Sequence, residues 1–353
     1  MIPTPADPLT LAAPLQLNGR GSGASTDALG ADWKRLWREA VRDPRELLSL
    51  LDLEDVASPL AEAAAHQFPL RVPRGFVARM RRGDRDDPLL RQVLPLDDEM
   101  RPMPGFSQDA VGDATALAGR GVIQKYHGRA LVIATGSCAV HCRYCFRRHF
   151  PYAEESASAE SWREAVDTIR RDDSIDEVIL SGGDPLSLAT HKLAELTTAL
   201  AGIPHVRRLR VHTRLPIVLP ERIDAECSAW LRGLPWSTAV VVHANHANEF
   251  DGAVDAAMAR MRQTGATVLN QAVLLRGVND SVDALAALSE RAFAAGVLPY
   301  YLHQLDRVTG AAHFEVDDTR ARALHAALVS RLSGYLVPKL VREVAGDSAK
   351  RAL

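Results

Sequence analysis

Cysteine is scarce in this chain. It supplies four of 353 residues, and three of the four fall within residues 138–145. A disulfide framework spreads its cysteines through a short secreted chain, so this crowding excludes one. It fits a metal site in a reducing compartment, the cytoplasm. No apolar run reaches the roughly 18 residues of a membrane span. The opening residues carry neither a basic cluster nor an apolar stretch, so no secretory signal is expected. Neither sign of charge dominates, since 42 Lys and Arg stand against 44 Asp and Glu for a net charge of −2. A strongly nucleic-acid-binding surface is therefore not expected. No internal repeat of solenoid type is present.

Hydrophobic residues make up 47% of the chain and charged residues 24%, enough for a large core. The length suits one large α/β domain with an appended segment, or two ordinary domains. Residues 1–30, rich in Gly, Ala, Ser, Pro and Thr, read as a poorly ordered leader. Residues 31–120 read as an N-terminal helical and irregular segment. Within it, Trp33, Leu36, Trp37, Ala40 and Val41 predict one helix over 32–53.

From residue 121 the pattern changes. Short runs rich in Val, Leu and Ile predict buried parallel strands over 130–135, 177–181, 207–213, 239–243, 267–275 and 297–304. Helical patterns fill the gaps, over 159–171, 188–201, 221–231, 254–264 and 282–295, and another follows at 318–333. The series predicts a partial (β/α)6 barrel over 121–335, with active residues where strands end and loops begin. Residues 336–353 read as a C-terminal tail.

Cys138, Cys142 and Cys145 form CxxxCxxC in the loop after the first barrel strand. Thiolates suit iron–sulfur clusters. Three of them on a [4Fe–4S] cluster leave one iron open, and S-adenosylmethionine (SAM) can chelate it and be cleaved to a radical. A structural zinc site is the alternative. It needs a fourth ligand from Cys227, His141 or His149, because no second CxxC is present. Cys227 itself reads as a small buried apolar residue.

Around this motif the chain resembles the lysine 2,3-aminomutase family of the radical SAM superfamily. The matches are Cys142-Arg-Tyr-Cys145-Phe-Arg147-Arg148, Ser181-Gly-Gly-Asp184-Pro, Val211-His-Thr-Arg214, His243-Ala-Asn-His-Ala-Asn-Glu249, the run Asn270 to Asp280, and the run Pro299 to Asp306. They span roughly residues 95–350 in order. The compact length, the N-terminal segment and Phe146 are most similar to the bacterial branch that serves elongation factor P.

The resemblance implies isomerisation of free L-lysine to β-lysine with a [4Fe–4S] cluster, SAM and pyridoxal phosphate (PLP). It implies SAM contacts from Tyr144, Gly182, Gly183, Asp184, His243 and Gln271. The residues alone also allow a tight turn at Gly182-Gly183, a helix cap at Asp184, and satisfied core hydrogen-bonders at His243 and Gln271. For PLP it implies a C-terminal lysine, Lys350 rather than Lys339, with Lys125 and Arg129 at the phosphate. The stretch before Lys350 holds one glycine where the family has a run, and Arg351-Ala352 replaces the usual Thr-Pro. For substrate it implies Arg147 at the carboxylate, with Asp306 and Glu343 at the side-chain ammonium. Ordinary salt bridges are the plain reading of these charges. The implied partners are elongation factor P, its lysyl ligase and an electron donor such as flavodoxin. The alternatives are a catabolic aminomutase, a radical SAM enzyme without PLP, and a zinc-stabilised binding module.

Overall fold

The computed structural model describes residues 32–56, 59–152 and 159–353. The leader expected at residues 1–30 lies outside the described residues. Ten strands form one sheet whose spatial order follows the chain. They are β1 (Leu117–Gly119), β2 (Val122–Ile123), β3 (Arg129–Thr135), β4 (Glu177–Gly182), β5 (Arg208–Thr213), β6 (Ser237–Val242), β7 (Thr267–Val273), β8 (Leu298–His303), β9 (Lys339–Arg342) and β10 (Arg351–Ala352). Strands β3 to β9 pair in parallel. Antiparallel β1 and β2 close one edge and antiparallel β10 the other.

Side chains alternate across each strand, and the two faces meet different surroundings. Val178 and Leu180 of β4, Leu209 and Val211 of β5, and Leu302 of β8 face the helices and join the main core. Their neighbours Ile179, Ser181, Arg210, His212, Tyr301 and His303 line a central cavity. Period-two alternation thus turns apolar strands into a cavity wall carrying polar groups.

The helices Ala159–Arg171, Thr190–Ala201, Ala225–Arg232, Gly252–Gln263, Val282–Ala294 and Asp318–Arg331 cover the outer face. Side-chain caps begin several of them. Asp251 accepts from the Val254 amide at 2.9 Å, Ser281 from Ala284 at 3.2 Å, and Asp317 from Arg320 at 2.9 Å. Among the described residues, no helix is long and apolar enough to cross a membrane.

Two expectations change. The single helix over 32–53 is broken into Trp33–Arg38 and Pro44–Leu50. Proline disfavours helical backbone at the residue before it, and Asp43 instead caps the second helix through the Arg45 amide at 2.8 Å. Val41, between the helices, pairs with Val72. Residues 336–353, read as a tail, supply β9 and β10. They cover the edge of β8 that a six-strand series would expose. The N-terminal segment packs into the same core through Leu47, Val72, Phe76, Leu89, Leu90 and Val93.

Candidate active site

The cavity encloses about 320 Å3 on the concave face. The loop after β3 brings Cys138, Cys142 and Cys145 to its wall. Buried arginines anchor this loop from behind. Arg143 donates from Nε to Glu99 Oε1 at 2.8 Å and from Nη1 to the Phe68 carbonyl at 2.6 Å. Arg148 Nη2 donates to the same Glu99 at 2.8 Å. Arg71 holds the Cys138 carbonyl at 3.1 Å.

Burial pushes the Cys138 thiol well above its ordinary range, and burial reinforced by Cys142 pushes the Cys145 thiol up to about 11. A metal that replaces those protons relieves that cost. Among the described residues, no three His, Cys, Asp or Glu side chains are gathered tightly enough for a single metal ion. Thiolates on a four-iron cluster stand further apart than ligands on one ion. Each histidine that could serve as a fourth zinc ligand has one ring nitrogen at a backbone carbonyl. His141 Nδ1 meets the Pro69 carbonyl at 2.7 Å, His149 Nε2 meets the Thr309 carbonyl at 3.2 Å, and Cys227 is buried in the core.

Gly182 and Gly183 bring the β4 loop against the cysteine loop. Gly182 adopts φ +110°, and a Cβ there would stand 2.7 Å from the Thr135 carbonyl. A Cβ on Gly183 would stand 2.5 Å from the Ser137 carbonyl. The close approach they permit is therefore to protein backbone. Asp184, expected to face SAM, spends both carboxylate oxygens within the fold. Oδ1 accepts from Thr213 Oγ1 at 2.7 Å and from the Leu186 amide at 3.0 Å. Oδ2 accepts from the amides of Arg214 at 2.7 Å and Leu215 at 3.0 Å. It ties the β4 loop to the β5 loop. Tyr144 lines the cavity, and its hydroxyl accepts from Asn245 Nδ2 at 2.6 Å.

Other groups on this face await a partner. His243 Nε2 and Gln271 Oε1 are buried without a hydrogen-bond partner among the described residues. So are His212 Nε2, His303 Nε2 and Asp306 Oδ1. Buried polar atoms are normally satisfied, so this cluster fits a polar ligand that fills the cavity. Burial, then Arg214, lowers His243 to about 4, and burial holds His212 and His303 well below the usual range. All three imidazoles are neutral at pH 7.

Another part of the lining is a chain of alternating charges. Lys350 Nζ donates to Glu343 Oε2, and Lys125 Nζ donates to Glu343 Oε1 at 2.8 Å. Lys125 also pairs with Asp113 Oδ1 at 2.5 Å. Arg147 Nε donates to Asp113 Oδ2 at 2.6 Å, and its Nη1 donates to Ser181 Oγ at 3.3 Å. Burial opposes ionisation of Glu343, yet the Lys350 and Lys125 ammoniums outweigh it and hold the carboxyl at about 2. Asp306 also lines the cavity, and among the described residues no such cation is in contact with it. Burial, then Glu343, pushes it up to about 7. Arg129 lines the cavity with its guanidinium 5.1 Å from the Tyr126 ring centre. Lys350 faces the cavity, whereas Lys339, at the start of β9, is exposed.

Sequence reasoning missed Asp113, His212 and His303. Asp113 precedes β1 in an irregular loop and had no periodic signal. His212 and His303 were legible in principle, since each shares a strand face with Arg210 or Tyr301.

The sequence pattern of the Radical SAM superfamily matches residues 132–234. An L-lysine 2,3-aminomutase of Escherichia coli is 49% identical over 91% of this chain and 94% of that one. The enzyme of that name from Haemophilus influenzae is 45% identical over 90% and 94%. That from Clostridium subterminale is 29% identical over 92% and 78%. Among solved structures, a radical SAM methyltransferase from Sphaerobacter thermophilus aligns with TM-score 0.45 and 20% identity over 63% of this chain and 68% of that one. With cysteine loop, parallel barrel and near full-length identity in agreement, the chain belongs to the lysine 2,3-aminomutase family, a group of isomerases within the radical SAM superfamily.

Proposed function

We propose that this chain converts free L-lysine to β-lysine in the central cavity, with a [4Fe–4S] cluster, SAM and PLP as cofactors. The observation that carries this reading is the meeting of three cysteine thiols and the Lys350–Glu343–Lys125–Asp113–Arg147 charge chain on one concave face. When bound, SAM on the reduced cluster supplies a carbon radical, and PLP supplies a π-system beside the migrating nitrogen.

The chain's own residues bind and orient. Cys138, Cys142 and Cys145 hold the cluster. His243 and Gln271 offer their unpartnered atoms to SAM, beside Tyr144 and the Gly182-Gly183 loop. Lys350 holds PLP, and Lys125 and Arg129 meet its phosphate. Arg147 grips the substrate carboxylate. Asp113 and Ser181 hold its Nε and Nη1, which fixes the direction of the fork. Asp306 and Glu343 receive the side-chain ammonium. Opposite charges at two ends of a lysine-sized space measure the substrate, and burial keeps water from the reacting atoms.

The product serves modification of elongation factor P through a partner ligase in the cytoplasm, with a flavodoxin-type electron donor. Supporting this, the chain matches nearly the whole of the compact E. coli and H. influenzae relatives but less of the longer clostridial one. A lysine already joined to the factor through its carboxyl carbon would face Arg147 with a neutral amide. Losing a charge-assisted partner costs about 1.5–3 kcal/mol, roughly 10- to 100-fold in KM. Anaerobic reconstitution with SAM and PLP, fed either free lysine or pre-lysylated factor, tests the reading. Free lysine should react faster by that factor, and Arg147→Lys, which keeps the charge but loses the fork, should raise its KM. Faster β-lysine formation on the pre-lysylated factor would overturn it.

A further inference from the structure

Arg214 directly follows β5. Its guanidinium is almost fully buried, with Nη1 2.7 Å from Cys142 Sγ. Contacts on several sides hold it there. Nη2 donates to Gln92 Oε1 at 2.6 Å and to Glu249 Oε2 at 3.0 Å. The Phe76 and Tyr144 rings each lie 5.6 Å from its guanidinium carbon. Its own backbone amide is pinned by Asp184 at 2.7 Å. Glu249 is fixed as well, with Oε1 accepting from the Asn245 amide at 2.7 Å, the His246 amide at 3.0 Å and Gln92 Nε2 at 3.1 Å. The cation therefore cannot swing away from the sulfur without breaking a buried network.

We propose that Arg214 is a redox-tuning residue: its fixed positive charge beside Cys142 raises the reduction potential of the cluster, and Glu249 tempers that effect. The proposal rests on the reading that Cys138, Cys142 and Cys145 carry a [4Fe–4S] cluster. Reduction adds one electron from a low-potential one-electron donor, and no bond forms or breaks. The added negative charge is buried, where Coulomb interactions are weakly screened. A fixed cation against a ligand sulfur stabilises the reduced state more than the oxidised one, and hydrogen bonds to cluster sulfurs act in the same direction. Glu249 places a negative charge behind the guanidinium and weakens its field. The opposing pair sets the potential between those of the two single charges. Gln92 and Phe76 come from the N-terminal segment, so that segment takes part in the redox site.

The test is an EPR-monitored redox titration of the anaerobically reconstituted full chain as wild type, Arg214→Gln and Glu249→Gln, with iron and sulfide measured in each. Poised at the wild-type midpoint, the wild type is half reduced. Arg214→Gln should be much less than half reduced and Glu249→Gln much more than half. A merely structural network would lower cluster content without moving the potential of the clusters that remain. Two loaded variants with the wild-type midpoint would overturn the proposal. If Arg214→Gln takes up no iron, Glu249→Gln decides alone. A positive shift supports tuning, and no shift or a negative one overturns it. Failure of the wild type to take up iron and sulfide would instead sink the cluster reading, and this proposal with it.

Discussion

The thiol wall of the cavity comes from one loop, Cys138 to Arg148, whereas the charged wall joins Arg147 of that loop to Asp113, Lys125, Asp306, Glu343 and Lys350 from other parts of the chain. The loop's spacing is covalent, and anchors such as Glu99 and Arg71 only steady it. The charged wall has no covalent spacing to rely on. Apart from Asp306, each of its buried ions is held by the opposite ion beside it, so removing one exposes its neighbours. A local site should fail ligand by ligand, and a distributed one should fail by propagation.

The largest effect should come from the thiol wall. Alanine at Cys138, Cys142 or Cys145 should each abolish cluster loading and turnover, while Cys227→Ala keeps both. Anaerobic iron and sulfide assays check this. Loss of the cluster in Cys227→Ala alone would show that the wall is not a local unit.

Next comes the end of the charge chain. Lys350→Ala should lose the visible absorbance of enzyme-bound PLP, and Lys339→Ala should keep it. The reverse result would place the PLP amine on the outer side of β9.

Propagation is tested at Asp113, which contacts both Arg147 and Lys125. Asp113→Asn leaves two buried cations sharing one fewer anion. Breaking such a pair costs about 3–5 kcal/mol, which denaturant unfolding would read directly. It should also weaken lysine and PLP binding together, though Asp113 lies between their two sites. A change confined to one ligand would separate the wall into independent halves.

The smallest effect concerns pH. Asp306 titrates near 7 because burial, then Glu343, disfavours its charge, so it is neutral below that pH and anionic above. The kcat/KM for lysine reports the free enzyme, so it should rise as pH climbs through about 7 and then level off. Asp306→Asn should remove that inflection. A profile identical in wild type and variant would take Asp306 out of ammonium recognition.

The barrel was legible because burial imposes a simple pattern. The six expected strands lie within a few residues of β3 to β8, and the run over 267–275 overshoots β7 because Leu274 and Leu275 are buried beyond the strand. The helix expected over 32–53 failed for a local reason that was readable, Asp43-Pro44. β9 and β10 were not readable, because strands this short carry too little periodicity to stand out from a tail.

By itself the sequence determined the order of β3 to β8 with the helices between them, the cysteine loop and the family, since periodicity and ligand spacing are local properties. The tertiary structure alone decided which polar groups share the cavity. It set Asp113 between Arg147 and Lys125, and turned Asp184 into a tie between loops. It chose Lys350 over Lys339 for the cavity wall and pressed Arg214 against Cys142. The paired residues stand 12 to 72 positions apart in the chain. Their cost and benefit arise from burying charge together, and that energy exists only once the sheet has closed around the cavity.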